Sequence, residues 1–94
     1  MNFAVVVMDA ALDALPQDLA FAAFGRLIEV LETTLGNDPV GNGRKVEHPA
    51  DNNSANAYRG GFQEEGRTYL FTAYFYYSLD ERAINVWDIY LTEE

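Results

Sequence analysis

Residues 69–78 read YLFTAYFYYS, six aromatic rings in ten positions. Side chains alternate across a strand, so this run divides into two faces. The odd positions give Tyr69, Phe71, Ala73, Phe75 and Tyr77, an almost wholly aromatic set that is the natural bed for a helix. The even positions give Leu70, Thr72, Tyr74, Tyr76 and Ser78, which mix hydroxyls with rings. They predict a second face that is partly wet, where tyrosines stabilise the sheet or meet a partner.

Two further strand-like runs flank this one. AYRGGFQ (57–63) precedes it across EEG (64–66), and RAINVWDIYLT (82–92) follows it across LDE (79–81). Connections this short favour antiparallel hairpins, so residues 57–92 read as a three-stranded meander. Strict alternation in the last strand sets Ile84, Val86, Asp88 and Tyr90 on one face, against Ala83, Asn85, Trp87, Ile89 and Leu91 on the other.

Upstream, FAVVVM (3–8) is β-branched and continuous, as a strand buried on both faces or in a central position would be. It is too short for a signal peptide or a membrane span. DAALDAL (9–15) predicts a short helix, and Pro16 with Gln17 and Asp18 predicts the start of a second one. In that helix Phe21, Phe24, Ile28, Leu31 and Leu35 recur every three or four residues, with Leu27 at the edge of the stripe. Gly36 and the NDP that follows stop it at Leu35. The stripe is expected on Tyr69, Phe71 and Phe75. Residues 36–56 are turn chemistry almost throughout, and 40–56 are expected to form a mobile loop. The expected fold is α+β: an N-terminal strand, then a helical hairpin packed on a mostly antiparallel four-stranded sheet, one domain over residues 1–94.

The chain carries 15 acidic and 6 basic residues, a net charge of −9. A nucleic-acid binder ordinarily presents a broad basic face, because phosphate neutralisation supplies much of its affinity. Here residues 1–39 hold Arg26 against six acids, and 80–94 hold Arg82 against five. Arg44, Lys45, Arg59 and Arg67 lie in the middle third, balanced by Glu47, Asp51, Glu64 and Glu65. A local anion site is allowed there; a phosphate-tracking surface is not. The absence of cysteine removes disulfides and Cys-based zinc sites, and fits a cytoplasmic protein. No phosphate-binding glycine loop, metal-ligand cluster or nucleophile elbow is present, so no cofactor or metal is expected. His48, the only histidine, sits before Pro49 with no obvious partner nearby in sequence. Arg59 and Arg67 could grip an anion bidentately, or else pair with Glu64 and Glu65 in the hairpin.

The order strand, short helix, longer helix, polar loop and meander resembles the RelE/ParE toxin superfamily of bacterial toxin–antitoxin operons, over nearly the whole chain. NDP (37–39) matches the family's turn after the helical hairpin, and Tyr58–Arg59 matches the aromatic–Arg step that opens its next strand. The resemblance implies a toxin acting on mRNA at the ribosome or on a protein target such as gyrase, with a cognate antitoxin as partner. It also admits a homodimer, or a catalytically inactive acidic interaction domain on the same scaffold. In an endoribonuclease reading, Arg59, Arg67 and Tyr90 would be catalytic, and Arg44, Lys45, Tyr74 and Tyr76 would bind phosphate or stack on a base. Two departures stand out. FTAYF (71–75) has Thr72 where the family usually carries arginine, and Tyr90-Leu91-Thr92 replaces the usual basic ending.

Overall fold

The ring-rich run forms most of β4 (Arg67–Ser78), the middle strand of a five-stranded mixed sheet. In the computed structural model, which describes residues 2–94, the elements are β1 (Ala4–Val7), α1 (Asp9–Asp13), α2 (Phe21–Val30), α3 (Pro39–Asn42), β2 (Arg44–Glu47), β3 (Ser54–Glu64), β4 and β5 (Ala83–Glu93). The sheet order is β1-β5-β4-β3-β2. β1 runs parallel to β5, and the other neighbours are antiparallel. The protein is therefore α+β as expected, but with five strands in place of four. No helix among the described residues is long and apolar enough to cross a membrane.

The odd positions of β4 face the helical layer. Tyr69, Phe71, Ala73 and Phe75 are buried in one core with Ile84, Val86 and Ile89 of β5 and Leu27, Leu31 and Leu35 of the helix. Rings lock neighbouring strands together: Phe62 stacks on Tyr69 at 5.0 Å, and Tyr58 meets Phe71 edge-on at 5.5 Å. Gly60 makes room for that contact, since a Cβ there would lie 2.8 Å from Phe71 Cζ and 2.9 Å from Tyr58 Oη. The β3–β4 hairpin closes through Glu65 and Gly66, both at positive φ, as a two-residue turn of the kind that matches strand twist requires.

The helix departs from its expected form in two ways. It begins at Phe21 and not at Pro16. Pro16 instead opens a turn closed by the Leu19 N–H on the Pro16 carbonyl, and buried Leu15 and half-buried Leu19 hold the two sides of that turn against the core. The buried stripe is Ala23, Leu27, Leu31 and Leu35, with Phe24 and Ile28 half-buried beside it and Phe21 89% exposed. Leu27 is thus the centre of the stripe and not its edge. A spacing of four drifts by about 40° per step on an ideal α-helix. Residues Leu31–Leu35 form a wider π turn, closed by the Gly36 N–H on the Leu31 carbonyl, which takes up part of that drift.

The expected mobile loop is also corrected. Residues 39–42 form α3, capped by Asp38 Oδ1 accepting from the Gly41 N–H at 2.9 Å, and 44–47 form β2 on β3. The remaining turn, 48–53, is tied by the His48 N–H to the Asn53 carbonyl and the Asn52 N–H to the His48 carbonyl.

Leu27→Ala should lower unfolding free energy by about 2–5 kcal/mol in urea titration. Phe21→Ala should change it by no more than about 0.5 kcal/mol. The reverse ranking would restore the stripe centred on Phe21, Phe24 and Ile28.

Candidate functional site

The face of the sheet turned away from the helices is built on one irregularity. Tyr74 pairs with Asp88 while Phe75 pairs with Val86, so Trp87 is an extra residue on β5. Such a bulge resets the alternation. Ile84 and Val86 before it, and Ile89 and Leu91 after it, all pack on the core. Trp87, Asp88 and Tyr90 consequently share the open face, which corrects the strict alternation expected for β5. The signal was present in the sequence: the apolar positions 84, 86, 89 and 91 contain one step of three.

The bulge brings Asp88 under the 48–53 turn. His48 Nε2 lies 2.7 Å from Asp88 Oδ2, a partner 40 residues away in sequence. His48 Nδ1 accepts the Ala50 N–H at 3.1 Å, which assigns the ring proton to Nε2, donating to Asp88. The imidazole is buried and ringed by Tyr74, Trp87 and Tyr90 at centroid distances of 4.5, 5.0 and 5.8 Å. Ala55, Ala57, Tyr74, Val46 and Trp87 complete a second small core on this side. Asp51 and Asn53 shape the turn, with the Asn53 N–H on Asp51 Oδ1 at 3.0 Å and Asn52 at φ 59. Both ring nitrogens of His48 are therefore engaged. The residue pins the turn to the sheet and is not free for proton transfer.

Beside this pinned half, the face is open. Strand register aligns Arg59, Thr72 and Tyr90 in one row across β3, β4 and β5, with Gly61, Leu70 and Thr92 in the next. Arg59, Leu70, Thr72, Tyr90 and Thr92 line a shallow depression of about 460 Å³. Strands lie about 4.8 Å apart, so the Arg59 and Tyr90 backbones are separated by roughly 10 Å. The Tyr90 hydroxyl titrates above the usual phenol range, chiefly through desolvation against the ring cluster, then through Asp88, Tyr74 and Asp51. The neutral phenol is favoured in the fold, so its stabilising effect is full below the ordinary tyrosine range and is lost as pH rises above that range through the raised value of the folded protein. At neutral pH the row offers a guanidinium, an aliphatic hydroxyl and a phenol hydroxyl.

The other candidate residues lie elsewhere. Arg67 pairs with Glu93 at 3.3 Å, and not with Glu64 or Glu65; it lines a separate cleft with Pro16, Leu19 and Tyr69. Tyr74 is buried in the second core. Tyr76 is half exposed and directs its hydroxyl to Met8 Sδ at 3.7 Å. Arg44 faces the same side as Arg59, opposite Ala57, whereas Lys45 lies opposite Asn56 on the other side. Arg59 and Tyr90 are thus the only two of the three candidate catalytic residues brought into one depression. Sequence reasoning missed Asp88 and the role of His48, because neither has its partner nearby in the chain. No family model, curated protein or solved structure matches the chain.

His48→Ala should cost about 1–3 kcal/mol, leave the Asp88 carboxylate without its donor, and shift the emission of Trp87, the sole tryptophan. Asp88→Asn keeps an acceptor for Nε2–H and should cost less. Unchanged stability and unchanged emission in His48→Ala would show that the turn is not held by this ring.

Proposed function

We propose that this chain is a RelE/ParE-like toxin-module protein that acts by binding a protein target through the open face of its sheet, without cutting RNA. The observation that carries this reading is the Arg59–Thr72–Tyr90 row, a set of recognition groups on the open face whose one neighbouring imidazole, His48, is tied at both ring nitrogens. Half-exposed Leu70 beside the row and the half-exposed Tyr90 ring within it supply apolar contact area.

Three features weigh against the ribonuclease branch. Arg67 is drawn to Glu93 on the strand end, away from Arg59. Thr72 stands in the middle of the row, where a second guanidinium would be needed to stabilise charge developing on a phosphate. The net charge of −9 opposes approach to RNA or a ribosome. A protein surface with basic or hydrogen-bonding groups meets none of these obstacles. The observed order, β1, α1, α2 and α3 followed by four antiparallel strands, keeps the strand–helices–meander succession on which the resemblance rests, with α3 and β2 where a loop was expected.

Induced expression in a host without an antitoxin should arrest growth, while primer extension on host mRNAs finds no new ends. The Arg59→Ala, Tyr90→Ala double variant should fold and release the arrest. New mRNA ends that depend on Arg59 would establish the ribonuclease branch instead. No arrest by the wild-type chain would leave only the inactive interaction domain.

A further inference from the structure

Six basic side chains share this molecule with 15 acidic ones, enough carboxylates for each to find a partner. Three are engaged: Arg26 with Glu29, Arg67 with Glu93, and Arg82 over the Phe3 ring at 5.4 Å. The other three, Arg44, Lys45 and Arg59, form no ion pair among the described residues. All three sit on β2 and the strand next to it. Arg44 lies opposite Ala57, two positions from Arg59 on the same face, and Lys45 projects to the other face opposite Asn56. An acidic chain has left its unpaired cations at one edge.

That edge also has unpaired backbone. β2 is the last strand of the sheet. The His48 N–H bonds inward to the Asn53 carbonyl, and antiparallel ladders alternate. Arg44 and Val46 therefore bond inward to β3, while Lys45 and Glu47 turn their N–H and C=O outward. Among the described residues, neither makes a backbone bond outside the ladder with β3. The strand contains no proline, and its edge is not covered by another strand.

We propose that an acidic, extended peptide segment of a partner protein adds here as a sixth strand. Its backbone would pair with Lys45 and Glu47. Carboxylates at alternate positions would meet Arg44 and Arg59 on the open face, and one at an intervening position would meet Lys45 on the other. Glu47 repels an acid beyond Lys45 and so limits the acidic stretch to the Arg44 end. A peptide fits better than RNA for two reasons. Outward N–H and C=O groups in strand geometry match another strand, and a short acidic segment needs local compensation from three cations only. A long polyanion would meet the full negative charge of the chain. Arg59 would serve both this segment and the open-face site, so the proposal rests on the protein-binding reading above to that extent.

The test is a titration of the full chain, followed by backbone amide NMR, with a blocked eight-residue peptide of threonine and valine carrying glutamate at two alternate positions and one more at the intervening position. The same peptide with glutamine, and an oligouridylate of equal charge, serve as the other two probes. The glutamate peptide should shift the amides of 44–47 and 55–59, and binding should weaken with salt. Arg44→Gln with Lys45→Gln should weaken it by about tenfold or more. Lys45→Pro removes an outward N–H that β3 does not use, so it should abolish binding while leaving the remaining spectrum intact. If it disturbs the fold, loss of binding in the folded Gln double variant still decides. Equal binding of the glutamine peptide, tighter binding of the oligouridylate, or no binding of the glutamate peptide would each overturn the proposal. Shifts confined to Leu70, Thr72, Tyr90 and Thr92 would overturn it too, while leaving the open-face reading standing. Failure of growth arrest would leave these edge measurements unaffected.

Discussion

Trp87 has no partner on β4, and the arrangement of the open face follows from that extra residue. Without it, the alternation set by Ile84 and Val86 would turn Asp88 and Tyr90 into the core and Ile89 and Leu91 out to water. A buried, unpaired carboxylate costs several kcal/mol, so the strand could not be accommodated that way. With the bulge, both halves of β5 keep their apolar residues inward. Trp87, Asp88 and Tyr90 then gather on one side, where His48 bonds to Asp88 at 2.7 Å within the ring cluster. The pinned turn sits over Asp88 and leaves the Arg59–Thr72–Tyr90 row open beside it.

The sequence revealed the elements governed by local periodicity. The odd face of 69–77 is the core bed because one long strand carries its whole pattern in contiguous residues. The end of the helix at Gly36 was likewise legible, and a Cβ there would lie 2.3 Å from the Glu32 carbonyl oxygen. What escaped reading depends on distant contacts. β2 has one apolar residue, Val46, and exists because β3 offers a ladder and His48 anchors its end. The helix stripe centres on Leu27 because Phe21, though larger, stands in the first turn away from the core. Arg59 and Tyr90 were identifiable as candidates, but their alignment required the register. Arg67 was separated from them by Glu93, on a strand paired 26 residues later.

A chain with a net charge of −9 cannot rely on general electrostatic attraction to anions, so its few free cations acquire particular weight. Their concentration on β2 and β3, next to a row of hydroxyl-bearing side chains, gives one end of the sheet a recognition chemistry unlike the rest of the surface. The part-buried polar pair on the open face, His48 with Asp88 at 2.7 Å, is used for positioning. Recognition is the role these groups can perform as they stand; acid–base chemistry would require releasing the imidazole.

The most direct test of this account is nitrogen-resolved NMR of the His48 ring, with proton–proton contacts measured to its neighbours. A ring pinned between Asp88 and the Ala50 N–H should show a single tautomer with hydrogen on Nε2, slow exchange with solvent, and contacts to Tyr74, Trp87 and Tyr90. A ring that averages between tautomers, exchanges freely and shows no contact with Trp87 would contradict the bulge-dependent pin and the site built beside it.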